Sequence, residues 1–114
     1  MDLRQLDVVV ADTFASRLRG LAWRNADELY PLLFPRCRAV HTLGMRTAID
    51  IVWLELGEQR EGKVLAVDEA VNPRRLVRAP AGAPRQRSAA LELRAGEATA
   101  LGLRAGARLV LGGR

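Results

Sequence analysis

The chain has 114 residues and a mass of 12.5 kDa, with 49% hydrophobic and 27% charged residues. That balance fits one small globular domain and excludes disordered and collagen-like classes. Its strongest apolar run, Ile49 to Leu56, is broken by Asp50 and Glu55 and is too short to cross a bilayer as a helix. A lone cysteine, Cys37, excludes a disulfide scaffold and suits a reducing compartment. The formal net charge is +5, and of 18 basic residues only Lys63 is lysine. Such a surface permits an acidic partner without requiring one.

Met1 to Arg4 leads into a strand-like run with no apolar signal segment, so the expected location is the cytoplasm. Gln5 to Ala11 is β-branched and predicts a strand. Asp12 and Thr13 carry helix-capping oxygens, and Phe14, Leu18 and Leu21 then form one apolar stripe on a short helix. Asn25 to Tyr30 is loop-like, and Pro31 to Pro35 is a short apolar piece between prolines. Arg36 to Thr42 predicts a strand, Gly44 a turn, and Ile49 to Leu56 the strongest strand. A charged loop, Gly57 to Gly62, closes a hairpin onto Lys63 to Val71.

Residues 72–88 hold Pro73, Pro80 and Pro84 with Arg74, Arg75, Arg78, Arg85 and Arg87, and they read as a long basic loop. Ala89 to Arg94 predicts a strand, Gly96 to Leu103 a short helix, and Ala107 to Leu111 a closing strand. The sum is an α+β domain: a strand-rich, largely antiparallel, barrel-like sheet with two short helices.

Four segments carry a resemblance. They are Arg17-Leu-Arg-Gly-Leu21 with Arg24; Cys37-Arg-Ala-Val-His41-Thr-Leu-Gly-Met-Arg46 with Ile49-Asp50; Gly62-Lys-Val64; and Leu91-Glu-Leu-Arg-Ala-Gly96 with Gly102-Leu103 and Gly106. Together they resemble the bacterial and archaeal family known as domain of unknown function 192. The resemblance implies a compact, mostly β domain and brings no biochemical activity with it.

The residue types suited to chemistry fall near the V-H-T-L-G-M-R segment. His41, Thr42, Arg46 and Asp50 form the candidate ligand-binding set, with Cys37 and Glu92 as secondary candidates. If residues 43–48 form a hairpin loop, His41 faces Asp50 across the ladder, close enough for imidazole to donate to carboxylate. Backbone amides of the Gly44 turn, with Arg46, would suit a small anion. Cys37 and His41 lie four apart on a strand, about 13 Å at ~3.3 Å per residue, too far to share a metal ion, so no metal or cofactor is expected. Met45 reads as core filling, Cys37 as a small buried hydrophobe, and Glu92 as one half of an ion pair.

These features favour a monomeric binding module for a small anionic ligand or an acidic protein, rather than an enzyme. The alternatives are a hydrolase-like or transferase-like enzyme using His41 and Asp50, with Cys37 as nucleophile, and an accessory protein engaging an acidic partner or nucleic acid through its arginine-rich loop. Nucleic acid is disfavoured, since no aromatic interleaves with the arginines to stack on bases.

Overall fold

A computed structural model describes residues 4–10, 31–42 and 47–113. The strands are β1 (Arg4–Val10), β2 (Leu32–Pro35), β3 (Ala39–His41), β4 (Ile49–Leu56), β5 (Glu61–Val71), β6 (Leu76–Arg78), β7 (Ser88–Arg94) and β8 (Arg108–Gly113). One short helix, α1 (Glu97–Ala100), precedes β8, and a 3-10 turn at Glu58–Arg60 joins β4 to β5. The helix expected over Phe14 to Leu21, the loop over Asn25 to Tyr30 and the turn at Gly44 lie outside the described residues.

Six strands close a barrel in the order β1-β2-β7-β4-β5-β8, and β3 and β6 form a separate two-stranded ribbon. The barrel is mixed. β1 runs parallel to both β2 and β8, and every other pair is antiparallel. The fold is thus mostly β, with one helix among the described residues where two were expected over the whole chain.

Two apolar cores follow from the pleat, because alternate residues of a strand face opposite sides. Val52 and Leu54 of β4 point into the barrel with Leu33, Ala89, Leu91, Leu93, Val64 and Leu109. Ile49, Ile51 and Trp53 point outward and join Leu32, Phe34, Cys37, Val40 and Ala90 in a second core. Val77 of β6 packs against that outer core, so the ribbon covers one flank of the barrel. β4 is therefore buried on both faces from Ile49 to Leu54. Ala98 of α1, with Leu103, fills one end of the barrel.

The segment expected to be a long basic loop contains a strand. Leu76–Arg78 pairs with Ala39–His41, because Val77 has an apolar surface to cover opposite Val40. The strand expected over Arg36 to Thr42 shrinks to Ala39–His41, and Arg36 takes a positive φ of 51° that interrupts it.

Candidate functional site

The expected pairing of His41 with Asp50 does not form. His41 lies opposite Leu76 on the ribbon and is exposed, whereas Asp50 lies opposite Leu93 on β4 and is fully buried. The hairpin register assumed that β3 pairs with β4. In fact both neighbours of β4 are long strands, β5 and β7, which leaves β3 to pair with β6. Arg46 lies outside the described residues.

Asp50 has structural work. Where Ile49 pairs with Val71 and Ile51 with Asp68, β5 carries one extra residue, a β-bulge in which Ala70 takes a φ of 49°. Asp50 Oδ1 accepts from the Ala70 N–H at 2.8 Å. Its Oδ2 accepts from the N–H groups of Gly96 and Ala98, each at 3.0 Å. A helix start leaves its first amides without intrahelical partners, and this remote carboxylate satisfies them. One side chain therefore fastens the bulge to the plug of the barrel.

Thr42 also acts as a pin. Its hydroxyl donates to the Asn72 carbonyl and accepts from the Arg75 N–H, each at 2.8 Å. Its backbone N–H donates to the Arg75 carbonyl and its own carbonyl accepts from the Arg74 N–H. This clasp holds a turn in which Arg74 adopts a φ of 65°. Cys37 is buried, and its Sγ donates to the Ala39 carbonyl at 3.1 Å. Among the described residues, no group of three or more His, Cys, Asp or Glu side chains converges as metal ligands would.

The ribbon instead brings together residues that the sequence separates by more than thirty positions. The cross-strand pairs Ala39–Arg78 and His41–Leu76 share its outer face, and all four residues are exposed. Arg38, Arg74 and Arg75 flank them and are exposed as well. Leu76 is 60% accessible, by far the most exposed large apolar side chain among the described residues. Within Arg-Arg-Leu-Val-Arg at 74–78 the available signal was only the adjacent Leu76 and Val77, too short a run to show a strand period.

The chain matches the family DUF192, described as an uncharacterized ACR, over residues 1–111. It belongs to that family. No curated protein matches it. A protein of unknown function from Novosphingobium aromaticivorans is 24% identical with a TM-score of 0.57, covering 91% of this chain and 71% of its own. A "putative transcription regulator" from Sinorhizobium meliloti is 19% identical with a TM-score of 0.58, covering 93% and 79%. At these identities the likeness concerns the fold.

In this DUF192 chain Glu92 is the remaining candidate, and it is not half of a described ion pair. It lies between Leu32 and Ile51 on the outer face of β7 and is fully buried. Neither carboxyl oxygen has a hydrogen-bond partner among the described residues. Burial pushes its carboxyl up from 4.5 to about 8, so at neutral pH it is mostly the uncharged acid. Among the described residues, no helix is long and apolar enough to cross a membrane.

Proposed function

We propose that this DUF192 protein is a binding module, not an enzyme, and that the outer face of the β3–β6 ribbon receives an acidic segment of a partner protein. The observation that carries the reading is the ribbon register, with His41, Leu76 and Arg78 on one exposed face and Arg38, Arg74 and Arg75 around it. Guanidinium groups engage carboxylates through paired N–H donors, and a ring of them around an apolar side chain suits a peptide that alternates acidic and apolar residues. The exposed outer face of the ribbon offers such a segment an open surface; a small ligand would need a concave site.

The test is titration with a fluorescently labelled peptide of alternating glutamate and leucine, followed by anisotropy at low and moderate salt. Binding should weaken with salt, as exposed charge pairs do. Arg75→Glu with Arg78→Glu should weaken it at least tenfold, and Leu76→Ser should weaken it without changing the salt response. If the charge-reversed protein binds the peptide as wild type does, the reading fails. If duplex DNA binds more tightly than the peptide and loses affinity on the same substitutions, the arginine-rich face is a nucleic-acid surface instead.

A further inference from the structure

Away from the ribbon, a cleft of about 400 Å³ opens beside the plugged end of the barrel, lined by Arg4, Glu69, Thr99, Gly102, Leu103 and Arg104. We propose that this cleft binds a small zwitterion of the α-amino-acid type, its carboxylate on Arg4 and Arg104 and its ammonium on Glu69.

Three features of the lining point this way. Neither Arg4 nor Arg104 has an ion-pair partner among the described residues, although ion pairs form elsewhere, as between Arg87 and Glu55 at 3.3 Å. Two arginines without ion-pair partners among the described residues, lining one cleft, suit a carboxylate, because each guanidinium presents a planar fork of donors. Second, Arg4 has a seat. A Cβ built on Gly102 would fall 3.1 Å from Arg4 Nη2 and 3.4 Å from its Cζ and Nε, so the guanidinium lies over the bare α-carbon. Gly102 has a φ of 72°, a conformation that glycine adopts without strain. A guanidinium already resting against backbone loses less freedom when it takes a ligand.

Third, the lining is not purely basic. Glu69 shares the cleft, and its Oε1 accepts from the Thr99 hydroxyl at 2.5 Å. A simple anion would meet repulsion from this carboxylate, whereas a ligand with an ammonium beside its carboxylate would satisfy both signs. Thr99 holds Glu69 in place, and the largely buried Leu103 gives the floor an apolar patch. The volume lies at the small end of the range for ligand sites, which suits an amino acid better than a nucleotide.

The probe is L-glutamate, compared with glutarate, which keeps the carboxylates and lacks the ammonium, and with butylamine, which lacks the carboxylate. Binding is read from the amide shift of Gly102 in ¹H–¹⁵N spectra of the full chain. L-glutamate should give a saturable shift, glutarate should bind at least fivefold more weakly, and butylamine should give none. Arg4→Gln and Arg104→Gln should each weaken L-glutamate at least tenfold. Glu69→Gln should erase the preference over glutarate while leaving the dispersed spectrum of a folded protein. A glutarate affinity equal to that of L-glutamate would overturn the proposal in favour of a plain anion site. The absence of any saturable shift would overturn it outright.

Discussion

Replacing Glu92 by glutamine should stabilise the protein progressively as the pH rises. The folded-state carboxyl titrates near 8, against an ordinary value of 4.5, because burial disfavours its charged form. Between those values the unfolded chain has released a proton that the native chain retains, so native stability falls as pH increases. The contribution is fully present below about pH 4.5, declines from there, and levels off once the pH has passed the folded value. At about 1.36 kcal/mol per pH unit, the wild type should lose about 4 kcal/mol from this group between pH 5 and pH 9. That is a large share of the roughly 6–17 kcal/mol expected for a domain of this size. Urea unfolding of both proteins at each pH isolates the effect, because the other titrating groups are common to both. The difference in midpoint should widen steadily with pH, at constant slope against denaturant. Parallel stability curves from pH 5 to 9 would refute the reasoning, and would mean that Glu92 ionises beside a cation.

Asp50→Ala strands the N–H groups of Ala70, Gly96 and Ala98; it should cost about 3–5 kcal/mol, visible as a fall in the thermal midpoint and faster exchange of those amides. Thr42→Val keeps the shape and removes the hydroxyl between Asn72 and Arg75, for an expected loss of about 1–3 kcal/mol in urea unfolding. Arg75→Ser and Arg78→Ser alter exposed side chains and should each stay within about 0.5 kcal/mol of wild type. Val77→Asp, between them in sequence, sets a charge against the outer core and should lower the midpoint sharply.

How much of this was legible from the residues varied with the range of the contacts involved. β4 was read with its observed ends, Ile49 and Leu56, because a β-branched apolar run flanked by turn signals has few other uses. Ile49, Ile51 and Trp53 do share a face, as their alternation requires. The inference that Asp50 therefore faces a polar site failed, because the opposite face of β4 is the barrel interior. A strand buried on both sides shows no polar face from which to read orientation. β6 was hidden for another reason. Three residues among prolines and arginines give almost no periodicity, and only Val40 across the ribbon explains Val77. The outer face of the ribbon, the proposed binding face, was likewise divided, half of it read as a hairpin site and half as a basic loop, since strand partners distant in sequence cannot be paired by local pattern.

The parallel placement of β1 between β2 and β8 also governs when the fold can form. The stave that completes the cylinder is held by strands from early and late in the chain, and Arg4 meets Leu109 only after about a hundred residues have been brought round. Closing a loop of that length costs about 4 kcal/mol of chain entropy before any side chain is buried in return. During synthesis β4, β5 and β7 can pair as soon as they emerge, because their partners are antiparallel neighbours. Until residues 108–113 arrive, however, β1 and β5 each lack one neighbour, and Val8 and Val64 lack the roof that Leu109 and Leu111 supply. The nascent protein therefore passes through an open sheet with two bare edges, which can meet only once β8 is in place between them.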